Sequence, residues 1–87
     1  MRRDAYGAAL VPGRNVDKVD VAAGMRQAAK SGYKSPYEQM VVEYALMRHA
    51  RGEEAGAERT WISYYPRNLT SWYMILAAAV AASDSED

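Results

Sequence analysis

The chain has 87 residues, a formal net charge of zero and no cysteine. We expect a single small domain, because domains rarely divide below roughly 100 residues. The lack of cysteine excludes disulfides and thiolate metal sites, and it favours a cytoplasmic over a secreted protein. The apolar run Trp72 to Ala82 covers 11 residues, whereas a membrane span needs about 20, so we expect no membrane contact.

The charges are unevenly distributed along the chain. Residues 1–51 contain nine Arg or Lys and five Asp or Glu, whereas residues 52–87 contain two and six. This asymmetry has two interpretations. The two halves pack against each other and neutralise their charges internally, or one half faces a charged partner.

The predicted elements begin with an irregular arm over residues 1–15. A helix over residues 16–31 follows, with Asn15 as its N-cap and Gly32 at the C′ position, where glycine is common. Gly24 lies in the middle of this helix, at a cost of about 1 kcal/mol relative to alanine unless another helix approaches closely there.

The second helix has the clearest start and stop signals. Ser35 and Glu38 form the pattern of a capping box, in which each side chain accepts a hydrogen bond from the other residue's backbone amide. Pro36 occupies the first helical position, where no backbone donor is needed. Gly52 is a natural end for this helix.

The third segment, residues 53–65, is compatible with helix or, in its aromatic and β-branched second half, with strand. Helix is favoured because no second strand is evident to pair with it. A last helix begins with Asn68 or Thr70 as its cap and runs to about Ala82. The acidic tail, residues 83–87, is expected to be disordered.

Together these elements predict an all-α fold, a single-domain bundle of three or four helices over residues 1–87. We expect Trp61 and Trp72 in the core. Of the adjacent Tyr64 and Tyr65, one should face solvent, because both cannot easily point inward.

The sequence offers little catalytic chemistry. His49 is the single histidine, and no serine is placed to form a nucleophile pair with it. His49 and Glu53 are four residues apart, but two ligands do not make a structural metal site. We interpret His49 as a partly packed residue at a helix end. The protein is therefore expected to be no enzyme, with no catalytic residue, metal or cofactor.

The second helix has two apolar sides. One side carries Val42, Leu46 and His49, and we expect this aliphatic side in the core. The other side is rich in residue types enriched at protein interfaces; it comprises Tyr37, Met40, Val41, Tyr44 and Met47, continued by Arg48 and Arg51. This second side either packs within the domain or contacts another molecule.

The leading hypothesis is a non-catalytic module that docks on a larger protein and modulates or inhibits it. Small chains without site chemistry are often adaptors, inhibitors or regulators, including those encoded by phages and mobile elements. The apolar last helix also permits a homodimer. Tyrosine and arginine are enriched among interface hot spots. The candidate contact residues are Tyr37, Met40, Tyr44, Arg48, Arg51 and Tyr64.

The alternative hypothesis is a regulatory protein that binds nucleic acid through its basic first half. Phosphate contacts require cations on one surface, and Tyr33 and Tyr37 could stack on bases. The neutral net charge argues against this function, and no DNA-binding motif is present. The candidate phosphate-binding residues are Arg2, Arg3, Arg14, Arg26, Lys30 and Lys34.

Overall fold

The computed structural model describes residues 18–85. This part of the chain contains four α-helices and no strand: α1 Val21–Lys30, α2 Pro36–Ala50, α3 Glu54–Tyr64 and α4 Leu69–Ser85. The predicted all-α fold is confirmed, and the ambiguous third segment is helical. The predicted arm, residues 1–15, lies outside the described residues.

Helix α1 begins later than the sequence pattern predicted. The expected start at residue 16 is wrong, because residues 18–20 are not helical. The Asp20 carboxylate accepts a hydrogen bond of 3.0 Å from the Ala23 amide and so caps the helix, while the Asp20 amide donates to the Ala79 carbonyl of α4 at 3.0 Å. The cap thus fixes both the start of α1 and its contact with α4. Gly32 has a φ of 102°, the left-handed geometry expected after the helix.

Helix α2 has the predicted capping box. The Glu38 amide donates to the Ser35 hydroxyl at 3.1 Å, and the Ser35 amide donates to the Glu38 carboxylate at 3.2 Å. Pro36 occupies the first turn. Gly52 follows the helix with a φ of 88°, as its predicted role as a stop requires.

Helix α4 is longer than expected. It continues to Ser85, so the prediction of disorder is wrong for residues 83 and 84, and residues 86–87 lie outside the described residues. Helix α4 packs against α1, and tertiary packing stabilises a helix more than local propensity does. Asn68, one of the two predicted caps, directly precedes the helix and accepts a hydrogen bond from the Ser71 hydroxyl at 2.9 Å.

The core lies where the four helices meet. Helix α1 packs against α2 and α4, and α3 packs against the other sides of the same two helices. Trp61 and Trp72 are completely buried, as predicted, with ring centroids 5.8 Å apart. The remaining core is aliphatic and small, and it includes Ala28, Val41, Val42, Ala45, Leu46, Ala57, Ile75 and Ala79.

Gly24 is the point of closest approach between α1 and its neighbours. A Cβ atom built there would lie 2.5 Å from Leu46 Cδ1 of α2 and 3.1 Å from Ala79 Cβ of α4. The close helix approach that could justify this glycine is therefore present.

Over residues 18–85, no helix combines the length and the apolar character needed to cross a membrane.

Candidate protein-interaction surface

Helix α2 presents a row of large side chains to solvent. We call Tyr37, Met40, Tyr44 and Met47 the α2 stripe; each is between 45% and 59% exposed. The opposite side of α2, including Val42 and Leu46, is completely buried. Within the described residues, α2 is therefore buried on its aliphatic side and open on its Tyr/Met side.

Val41 departs from the predicted division of α2. The spacing places it on the Tyr/Met side of α2, but it is 3% exposed and belongs to the core. Val41 also lines the surface groove described next.

Helix α3 completes this surface with Tyr64. The ring of Tyr64 meets the ring of Tyr37 edge-on, with centroids 6.1 Å apart and planes at 74°. A groove of about 260 Å³ lies beside this pair, lined by Met40, Val41, Tyr44 and Tyr64. The neighbouring Tyr65 is half-buried, so the prediction that one of the two tyrosines faces solvent is confirmed.

Arg48 makes polar contacts within the fold. Its Nε donates to Glu53 at 2.8 Å and its Nη1 donates to the Thr60 hydroxyl at 3.1 Å. The guanidinium lies directly over Gly56, where an added Cβ would collide with it. Arg48 therefore connects α2 to the start and middle of α3, while its side chain stays 27% exposed, and its role as a contact residue stays a prediction.

Glu53 is the acidic centre of this junction. It pairs with Arg48 at 2.8 Å and with Arg51 at 3.4 Å. The hydrogen bond from Arg48, followed by that from Arg51, lowers the pKa of Glu53. The same carboxylate raises the pKa of Arg48, chiefly through its hydrogen bond. Arg51 itself remains more than half exposed at the end of the stripe.

Comparisons with protein-family models, with characterised proteins and with solved structures find no significant match. The chemistry of the surface is thus the basis for assigning a function.

A polar network around Tyr33 was not predicted from the sequence. The Tyr33 hydroxyl donates to Ser71 at 3.1 Å, and the Asn68 amide donates to Tyr33. Tyr33 also lies edge-on to Trp61 at 5.2 Å and to Tyr65 at 4.9 Å. Tyr33 is therefore held by α3 and α4, and the stacking of this ring on a base stays a prediction.

The candidate phosphate-binding residues are only partly described. Arg26, Lys30 and Lys34 are exposed, α1 carries no acidic residue, and none of the three forms an ion pair with another residue of the range 18–85. Arg2, Arg3 and Arg14 lie outside the described residues.

His49 is packed as the sequence indicated. It is 6% exposed, and its Nε2 has no hydrogen-bond partner among residues 18–85. Glu53 pairs with the two arginines, so the four-residue spacing does not form a His–Glu site. Residues 18–85 contain no group of three or more side chains arranged to hold a metal ion.

Proposed function

We propose that the protein is a non-catalytic module that docks on a larger protein through the α2 stripe and Tyr64, and modulates that protein by covering part of its surface. The observation that carries this proposal is the set of five half-exposed Tyr and Met side chains on one continuous surface of α2 and α3. Tyrosine and methionine are enriched at protein interfaces, and tyrosine is frequent among hot spots.

The surface is well suited to binding because its anchors are held in place. Tyr37 and Tyr64 brace each other edge-on, and Met40 and Tyr44 flank the groove on a capped helix. A rigid aromatic side chain loses little conformational entropy when it binds, so more of its contact energy contributes to affinity. Exposed Arg51 adds a cation at the rim.

Site-specific photocrosslinking tests this proposal directly. A photoreactive phenylalanine analogue is placed at Tyr37, Tyr44 or Tyr64 and, as the control, at Met74 of α4, which is equally exposed. After irradiation in nuclease-treated lysate of the source organism, we expect one stoichiometric protein adduct at the three surface positions and none at Met74. Adducts that are identical at all four positions, or absent, would contradict the proposal.

The exposed position of Tyr44 also predicts how much its truncation weakens binding. Tyr44→Ala should weaken binding to the purified crosslinked partner by about 1–3 kcal/mol, with the helical circular dichroism unchanged because Tyr44 is half-exposed. Met74→Ala is the matched control and should leave the Kd unchanged. An unfolded Tyr44→Ala variant would mean that this ring supports the core.

Nucleic-acid binding is a second candidate function, favoured by the exposed cations of Arg26, Lys30 and Lys34, which form no ion pair among residues 18–85. An Arg26→Gln/Lys30→Gln variant should then lose affinity for duplex DNA, and wild-type binding should fall steeply between about 50 and 200 mM salt. Equal binding by both proteins, or no salt dependence, would reject this function.

A further inference from the structure

We infer that two copies of this chain pair through the α2 stripe, with their α2 helices antiparallel. The stripe residues Tyr37, Met40, Tyr44 and Met47 follow a 3–4–3 spacing, which is the spacing of the a and d positions in a helix–helix seam. All four are exposed, so no helix of residues 18–85 covers the seam.

The order of residues along the stripe makes it complementary to its own reverse. When the stripe is placed against a second copy running in the opposite direction, Tyr37 faces the other copy's Met47, and Met40 faces its Tyr44. Every layer then joins an aromatic ring to a thioether, a favourable contact. Such a contact is isologous, with the two-fold axis between Met40 and Tyr44, and it closes at the dimer.

A parallel arrangement is less favourable for the same residues. It places like against like in every layer and brings Arg51, the next residue in the heptad pattern, against its own copy. It also aligns the dipoles of the two helices, whereas an antiparallel pair opposes them. The charge and the side-chain order therefore both favour the antiparallel pair.

The exposed area is sufficient for a weak dimer. At about 150–250 Å² for a large side chain, the half-exposed stripe and Tyr64 offer about 500 Å² on each copy. Two copies would then bury about 1,000 Å² in total, close to the lower limit of specific interfaces. We expect a dimer that dissociates on dilution.

Self-pairing rests on the geometry of the stripe and holds whether or not a larger partner exists. Where the proposed docking also holds, the two contacts use the same surface and compete. The dimer would then store the protein with its docking surface covered, and the partner would bind the monomer.

The first test is the mass of the purified full chain by sedimentation equilibrium. Between about 1 and 500 μM, we expect the mass to rise from 9.7 kDa towards twice that value. Tyr44→Arg should raise the dimer Kd at least about tenfold, whereas Met74→Arg on α4 should leave the Kd unchanged. A monomer at every concentration, or a dimer indifferent to Tyr44→Arg, would overturn the inference.

The second test is disulfide crosslinking, which determines the relative orientation of the two α2 helices. The chain contains no cysteine, so only the introduced cysteines can form a disulfide. In the antiparallel pair, residue 37 of one copy lies about 15 Å along the helix from residue 37 of the other, beyond the reach of a disulfide. Tyr37→Cys and Met47→Cys should therefore crosslink when mixed and not when oxidised alone. Crosslinking of Tyr37→Cys alone would show a parallel pair and overturn the proposed geometry.

The two proposals can fail separately. A monomeric protein that still gives a Tyr44-dependent adduct in lysate would reject self-pairing and support docking on a larger protein. A dimer with the expected disulfide pattern but no adduct to any other protein would support self-pairing and reject docking.

Discussion

Tyr33 and Tyr65 show how differently the fold treats two hydroxyl groups in one aromatic cluster. Their rings are 4.9 Å apart. The Tyr33 hydroxyl bonds to Ser71 and Asn68, whereas the Tyr65 hydroxyl is buried and has no hydrogen-bond partner in the described part of the chain. Burial accordingly raises the pKa of Tyr65. An unpaired buried hydroxyl is a local cost to stability, and a paired one is not.

Removal of the two hydroxyls should therefore have opposite effects. We expect Tyr65→Phe to raise the free energy of unfolding by about 0.5–2 kcal/mol, because it removes an unsatisfied polar group. Tyr33→Phe should lower it by about 1–2 kcal/mol, because Asn68 and Ser71 lose their partner. Urea denaturation of both variants is the measurement. A loss of stability in Tyr65→Phe would show that its hydroxyl has a partner in solution.

Gly24 is a second residue whose effect depends on its neighbours. In an isolated helix, Gly24→Ala would stabilise by about 1 kcal/mol. Here the new Cβ would meet Leu46 and Ala79, and we expect a net loss of about 1–3 kcal/mol from overpacking. Thermal unfolding measures this change. In a Leu46→Ala background the loss should shrink, because the colliding atom is gone; an unchanged loss would contradict the packing explanation.

At the scale of the element, the junction between α2 and α3 is held by charge. Arg48 and Arg51 extend from the end of α2 to Glu53, and Arg48 continues to Thr60. The lowered pKa of Glu53 means that the folded state favours its charged form. Its contribution to stability is therefore present above the ordinary glutamate pKa and is lost as the pH falls through the lower folded-state value.

Glu53→Gln should reveal this pH dependence. We expect the variant to have a lower Tm than the wild type at neutral pH, and the difference to shrink as the solution is acidified below the ordinary glutamate range. The matched control is Glu43→Gln, in the middle of α2 and without an ion pair among residues 18–85, which should change the Tm little. A difference between wild type and Glu53→Gln that is constant with pH would exclude the ion pairs as its source.

The limits of prediction are clearest at this scale. The start of α2 follows from Ser35 and Glu38, whose side chains accept hydrogen bonds from each other's backbone amides. These residues are close in sequence, so the sequence alone predicts this helix start. The start of α1 depends on Asp20 and on a backbone contact with α4, which local patterns do not contain. Arg48 has the right type and spacing for an exposed contact, but its partners Glu53 and Thr60 come within reach only when α3 folds back along α2.

At the scale of the whole molecule, the candidate surface also has features that follow from the local sequence and features that depend on tertiary contacts. The 3–4 spacing identifies which α2 residues share one side, and the aliphatic composition of the other side indicates which is buried. The sequence indicates only that Tyr64 or Tyr65 faces solvent, because adjacent side chains cannot easily both point inward. The position of Tyr64 next to Tyr37 depends on the antiparallel packing of α3 against α2. Composition can thus predict the chemistry of a surface, while tertiary contacts decide its extent.

All four helices contribute to one core, so the domain should unfold as a single unit. Trp61 and Trp72 report on α3 and α4, because both rings are buried there. Far-ultraviolet circular dichroism reports on all helices, including α1 and α2. In a two-state transition, tryptophan fluorescence and circular dichroism give the same midpoint in urea.

We expect the two unfolding curves to coincide. Leu46→Ala, which removes a completely buried side chain of α2, should shift both curves by the same amount, equivalent to about 2–5 kcal/mol. An earlier loss of circular dichroism than of fluorescence would show that α1 or α2 melts separately from the aromatic cluster, and that the α2 stripe is carried by a less stable part of the fold.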